Sequence, residues 1–347
     1  MNSKVTISLK NKIFTKTKIL NILSFIVIWI LYGFNTYNSD YKTYEEIYNI
    51  IAVTGNYSSR NIEFGYKYIM KFFTMLHFDY QLFLICYSFI CLFLLFKAVS
   101  KFTDKQYIVF FLFCLYPLHQ YILANRLALA MGIVIYAISY LREFNISNVI
   151  KYILLILCAS LIHSTSFIYI LLLIVYLDQK KVLIISLLVT VVLGISLFVP
   201  SVVLFIAKFF PKILFYIKDG TNIFTIPVIV IYYIAIICLF MFCKNKTYDD
   251  KYKNDYLMFR KIFYAISCSI PMIYFSMDFF RILTNLVVLI YIVMANHKFV
   301  VNHLITKKSL DIIFIFILFI TIQNYTFGYK NNLESQIIPI ISNNLFW

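Results

Sequence analysis

The stretch 152–177, YILLILCASLIHSTSFIYILLLIVYL, decides the fold. It holds 26 residues without one Asp, Glu, Lys or Arg. As a single α-helix it would rise about 39 Å. That exceeds a hydrocarbon core of ~30 Å unless the helix tilts strongly, with His163 packed against its neighbours. As two legs it forms a pair of short helices meeting near His163-Ser164-Thr165-Ser166. Loop charge separates the two readings, because Lys and Arg collect on the cytoplasmic side of a membrane protein. With two legs, 21 of the 31 Lys and Arg fall inside; with one leg every later loop flips, and the split becomes 15 against 16. Two legs give a normal bias and one leg gives none. The legs 152–163 and 164–177 would rise only about 18 and 21 Å. Their apex should therefore sit below the outer surface, and backbone turning at that depth must be buried in protein or line a wet cavity. The expectation is a cavity open to the outside with His163 near its floor.

The rest of the chain agrees with a membrane setting. Of its 347 residues 62% are hydrophobic and 13% charged. Soluble domains carry roughly 45–50% apolar and about 25% charged residues. Ten segments are free of Asp, Glu, Lys and Arg: 19–39, 80–96, 106–125, 127–141, 152–177, 182–207, 220–243, 262–277, 282–297 and 312–329. Splitting the fifth gives about eleven transmembrane helices in an all-α polytopic protein. This excludes a soluble enzyme, a coiled coil and a disordered chain. The whole of 1–347 reads as one integral membrane domain. Residues 1–18 hold five lysines and no acid, which makes them a cytoplasmic leader with the N-terminus inside. Residues 40–79 form a long outer loop. Pro200 ends a span, and 201–217 read as an amphipathic helix on the outer surface, with Lys208 and Lys212 on one face. Residues 324–347 read as an outer tail. The seven cysteines all lie in apolar runs and make no C-x2-C pair, so they read as small buried hydrophobes. The net charge of +16 reads as loop charge that sets orientation, not as a nucleic-acid surface.

This topology collects polar residues on the outer face. The long loop carries Asp40, Glu63 and several tyrosines. The next outer turn carries His119 and then Asn125-Arg126 at the head of an uncharged helix. A later turn carries His163, and another carries Asp278 and Arg281. Ionisable residues at such places face a cavity or the headgroups. Two guanidiniums on one face can hold a diphosphate in forked geometry. No P-loop, G-x-G-x-x-G, H-E-x-x-H or G-x-S-x-G occurs. An activated donor must then arrive through the membrane. Displacement at an anomeric carbon needs a base for the acceptor hydroxyl and cations for the departing diphosphate. Asp40, Glu63 and His163 are the candidate catalytic groups, and Arg126 and Arg281 the candidate diphosphate ligands. Tyr41, Tyr44, Tyr66, His119 and Asp278 are candidate sugar contacts, although most of the outer-loop tyrosines read more simply as interface aromatics. No acidic cluster demands a metal, and no cofactor is expected.

These residues resemble the motifs of the EpsG family of Wzy-like polysaccharide polymerases. Asp40-Tyr41 with Tyr44, then Glu63-Phe64-Gly65-Tyr66, look like D-Y-x-x-Y and E-x-G-[FY]. Arg126-Leu127-Ala128-Leu129-Ala130 is similar to the R-Q-x-x-A helix, with Leu127 where the family usually has Gln. Leu161-Ile162-His163-Ser164-Thr165-Ser166 looks like H-x-S, and Phe280-Arg281 resembles the late arginine. The resemblance covers about residues 20–295. It implies a GT-C-like glycosyltransferase that joins oligosaccharide repeat units carried on undecaprenyl diphosphate. The setting it implies is the outer face of the bacterial inner membrane, with a chain-length regulator as a possible partner. The rival from another class is a flippase for the same lipid-linked sugar. It should show two related halves with matching broken helices, and the sequence shows none. A polysaccharide ligase of the same fold class remains open, as do the sugars and the stereochemical course. An O-acetyltransferase lacks an inner-face donor site.

Overall fold

A computed structural model describes residues 2–57, 62–197, 199–209, 250–274, 279–296 and 337–346, and within these the chain is helical without a strand. The first helix, α1, runs Asn2–Gly33. Two amphipathic helices follow, α2 (Tyr41–Thr54) and α3 (Phe64–Met75). Next comes α4 (Tyr80–Ser100), started by the Asp79 carboxylate accepting from the Leu82 amide at 2.7 Å. The charge-free run 106–125 is not one helix. It divides into α5 (Gln106–Leu115) and α6 (Leu118–Leu123), because Pro117 lacks the amide proton a continuous helix needs. Helix α7 (Asn125–Ile138) continues as a short 3-10 turn to Arg142.

The deciding segment reverses. Helix α8 (Ile146–Ile162) ends at His163, whose backbone is extended (φ −146, ψ 107), and a 3-10 helix returns over Ser164–Tyr176. The Tyr152 hydroxyl on the outgoing leg donates to the Tyr169 carbonyl on the return leg at 2.5 Å. Both feet stand together: the Tyr176 hydroxyl donates to the Tyr140 carbonyl at 3.0 Å, and Lys261 Nζ donates to the carbonyls of Val175 and Leu177 at 3.0 and 2.8 Å. The leg lengths need a correction. Helix α8 begins six residues before the charge-free run, so its 17 residues rise about 26 Å. The return leg winds more tightly, and 13 residues of 3-10 helix also rise about 26 Å. The legs match, and the turn lies a full helix length from its feet.

That distance defines two ends of the molecule. At the foot end Arg142 grips Asp255 through two hydrogen bonds of 2.6 and 2.7 Å and donates to the Lys101 carbonyl, while Lys251 pairs with Asp104 at 3.1 Å. Asp255 and Lys251 belong to α11 (Asp250–Ile266), which follows α9 (Gln179–Leu197) and α10 (Pro200–Phe209). A 3-10 helix (Ser267–Tyr274), then α12 (Phe280–Thr284), α13 (Val287–Ala295) and the short α14 (Ile338–Ser342), follow among the described residues. Every residue of α13 is buried, as befits a helix apolar on all sides. At the other end Asn35 and residues 343–345 join the chain termini. The Thr36 amide donates to the Asn343 carbonyl at 2.8 Å, and the Leu345 amide to the Phe34 carbonyl at 2.9 Å. The described part of the expected tail, 337–346, is therefore docked against the end of α1.

Three helices among the described residues are long and apolar enough to cross a membrane: Lys16–Gly33, Tyr80–Ser100 and Gln179–Ser196. Shorter apolar helices surround them. Helix α9 exposes Ile184, Leu187, Leu188, Val191, Val192 and Ile195 along its length, a patch far beyond what a soluble surface carries. The protein is a membrane protein. The runs 220–243 and 312–329, and residues 210–217 of the expected surface helix, lie outside the described residues.

Candidate active site

Arg126 is the second residue of α7, and its neighbour fixes where that helix starts. The Tyr32 hydroxyl donates to Asn125 Oδ1 at 2.9 Å, Asn125 Nδ2 donates to the Tyr80 hydroxyl at 3.4 Å, and the Tyr87 hydroxyl donates to the Asn125 carbonyl at 2.9 Å. All four residues are buried. Helices α1 and α4 thus clamp the head of α7 through one side chain, and Arg126 projects from the clamp. Asn125→Leu leaves two buried tyrosine hydroxyls without their partner and should cost about 1–3 kcal/mol. Thermal unfolding in detergent checks it; an unchanged Tm would show that the clamp holds nothing.

From there Arg126 reaches two elements. Its Nη1 donates to Glu63 Oε2 at 2.5 Å, and its Nε donates to the Tyr44 hydroxyl at 3.3 Å. Glu63 sits in extended backbone just before α3. Its other oxygen, Oε1, accepts from the Ser164 hydroxyl at 3.0 Å and the Ser164 amide at 3.3 Å. One carboxylate therefore bridges the head of α7 to the turn beside His163. The Glu63 side chain is 9% exposed and that of Arg126 22%, so the ion pair is shielded from solvent. Gly65 makes the bridge possible. A Cβ there would stand 2.8 Å from the Leu161 carbonyl oxygen, so only glycine lets α3 approach the last turn of α8.

Asp40 lies at the head of α2 and is accessible. Crowding protein partly dehydrates its carboxyl and raises its pKa above the ordinary aspartate value; the nearby Ser39 hydroxyl, Arg281 and Arg126 pull the other way. Asp40 thus feels both arginines at once. Arg281, in α12, is exposed. The Tyr169 hydroxyl on the return leg donates to the adjacent Ile282 carbonyl at 2.9 Å, which ties α12 to the hairpin. Burial pushes the Tyr44 phenol up, with Arg126 opposing, so Tyr44 stays protonated near neutrality.

The expected sugar contacts divide. Tyr44 touches Arg126. Tyr41 donates to Gln81 Oε1 at 2.9 Å, and Gln81 ties back to the Gly33 carbonyl, so Tyr41 fastens α2 to α1 and α4. Tyr66 is fully buried, edge-on to Tyr44 and Tyr87. His119 is buried against Tyr116. Tyr66 and His119 are buried, and the Tyr41 hydroxyl is engaged by Gln81. Asp278 lies outside the described residues. Ser164, Asn125 and Gly65 stand in the segments the sequence singles out, but their contacts with the site are visible only in the fold.

A membrane protein helical throughout its described residues, with a shielded Arg126–Glu63 ion pair at the end of its bundle opposite the feet, is the class defined here. The EpsG family matches residues 18–342, nearly the whole chain. The chain belongs to the EpsG family, a Wzy-like polysaccharide polymerase family. No curated protein and no solved structure shows a significant match to the chain.

Proposed function

We propose that the protein is a membrane glycosyltransferase that polymerises oligosaccharide repeat units carried on undecaprenyl diphosphate. In this reading the chain makes about eleven spans in a GT-C-like arrangement. Its N-terminus is cytoplasmic, and the cluster around Arg126 faces the outer side of the bacterial inner membrane. The observation that carries the proposal is the Glu63 carboxylate that joins Arg126 to Ser164 at the turn beside His163, bringing three of the expected site residues to one place.

The chemistry follows from these groups. The acceptor hydroxyl oxygen attacks the anomeric carbon of the donor. The bond from that carbon to the diphosphate oxygen breaks, and its electron pair leaves on the diphosphate. Arg126 and Arg281 neutralise the charge that grows there. Asp40 takes the hydroxyl proton. Both Glu63 oxygens are already engaged, so Glu63 serves as the brace that aims Arg126. His163, at the turn that Glu63 also holds, orients the acceptor.

Purified protein in vesicles, given a synthetic lipid-linked repeat unit and no nucleotide sugar, should yield chains of several repeats. A flippase would move the same lipid and leave it one unit long. The pH profile tests the base. An ionised Asp40 is required, so activity falls as pH drops through its raised pKa, and the acid limb should lie above the ordinary aspartate range. Arg281 favours the ionised form, so Arg281→Gln should move that limb to higher pH as well as slowing the reaction. A limb that stays in place with Arg281→Gln, or persists in Asp40→Asn, removes Asp40 from the role.

A further inference from the structure

Joining two lipid-borne units brings two diphosphates to the protein in each cycle, and Arg126 with Arg281 accounts for one. This inference rests on the polymerase reading. A cavity of about 490 Å3 lies between the end of α2 and the first turns of α3, bounded by Gly55, Tyr57, Phe64, Lys67, Tyr68 and Lys71 among others. That volume falls in the usual range for ligand sites, roughly 300–1,000 Å3. Among its described lining residues the cations are Lys67 and Lys71, one helical turn apart on α3. Lys67 Nζ stands 6.0 Å from the Tyr57 ring centroid, and Lys71 Nζ lies near Gly55, 3.9 Å from where a Cβ on that glycine would be. Both lysines thus line the cavity beside Phe64 and Tyr68, on the same face of α3.

The rim of the cavity is greasy. Phe64 and Tyr68 line it, and Phe72 and Met75 extend their face along α3; all four are more than half exposed. In a membrane protein such a stripe lies against lipid tails. Glu63 is four residues from Lys67 and eight from Lys71, about 6 and 12 Å along the helix. We infer that this cavity seats the diphosphate of the second, acceptor lipid. The isoprenoid tail lies along the α3 stripe, and the sugars run past Glu63 to the reaction centre. Two ammoniums and a lipid-facing rim suit a lipid diphosphate better than a neutral glycan, which would need no cation.

The test measures the binding of radiolabelled polyprenyl diphosphate, free of sugar, to full-length protein in nanodiscs of phosphatidylcholine. Wild type should bind two molecules. Lys67→Gln/Lys71→Gln should bind one, and Arg126→Gln/Arg281→Gln should keep the lysine site. Lys67→Arg/Lys71→Arg should restore two, which rules out misfolding as the cause of the loss. With lipid-linked repeat units, the glutamine pair should raise the KM for the acceptor about tenfold and leave kcat within about twofold. Two molecules still bound by the glutamine pair would overturn the inference. So would a single wild-type site lost only with the arginines, and in that case the polymerase reading stands. Displacement from the lysine site by excess phosphatidylglycerol would also overturn it, by making it an ordinary anionic-lipid site. No binding to any form defeats the inference and the polymerase reading together.

Discussion

Arg126→Ala should cut chain elongation by about 10²–10³-fold, the usual cost of removing one preorganised group that stabilises developing negative charge. It should also destabilise the fold, and the two effects need separating. Glu63 is 9% exposed, and without Arg126 its carboxylate is left shielded and unpaired. Breaking a buried pair on one side costs about 3 kcal/mol or more. Elongation lost through unfolding would then look like elongation lost through chemistry. Glu63→Gln/Arg126→Gln separates them. Two amides of similar shape can still hydrogen-bond across the gap, and neither leaves a charge behind. The expected result is a Tm near wild type with elongation still down by at least about 10²-fold. Arg126→Lys tests the geometry. An ammonium is a point charge and cannot repeat the planar fork that meets Glu63 and Tyr44 together. It should recover part of the stability and little of the rate. Normal chain lengths from the double glutamine variant would remove Arg126 from the chemistry and leave it a structural ion pair.

Charge punctuation made most of the helices legible, because an ion in a lipid-facing helix is costly and a run without one marks a span. The same criterion failed at edges. Helix α8 starts at Ile146, capped by Asn145, and passes through Lys151 without a break, because a lysine near a helix end can carry its ammonium outward. A charge count sees the thickness of the apolar layer, not the length of the helix. The hairpin at His163 was legible from loop charge alone. Its tight 3-10 winding was not, since nothing in Phe167–Tyr176 distinguishes that winding from an α-helix by composition. The site was half legible. Arg126 stands out as an ion at the head of an apolar run, and Glu63 as an acid in the long outer loop. Ser164 does not, because a serine next to a histidine draws no notice until the fold brings a carboxylate to it. Asn125 is hidden for the same reason: its value lies in three tyrosines contributed by distant helices.

Gly65→Ala is the second large effect, and it acts without touching a charge. The new Cβ would meet the Leu161 carbonyl oxygen at 2.8 Å and its carbon at 3.0 Å. These are backbone atoms in the last turn of α8 and cannot swing aside. Helix α3 must move outward instead. The contact lies between the partners of the bridge: Glu63 is two residues before Gly65, and Ser164 is three after Leu161. A wedge there lengthens the Glu63–Ser164 bonds and lets Arg126 drift. Displacing a positioned group by about 1 Å can cost ~10²-fold in rate, and overpacking costs about 1–3 kcal/mol. Gly65→Ala should therefore slow elongation by about 10–100-fold with a modest fall in Tm, and Gly65→Val should be worse in both. Gly194→Ala is the control. Its nearest neighbour would be Pro271 at 3.9 Å, ordinary contact, so activity should hold. If Gly65→Ala elongates normally while its Tm drops, α3 and α8 can part without disturbing the arginine, and the bridge through Glu63 does not set the geometry of the site.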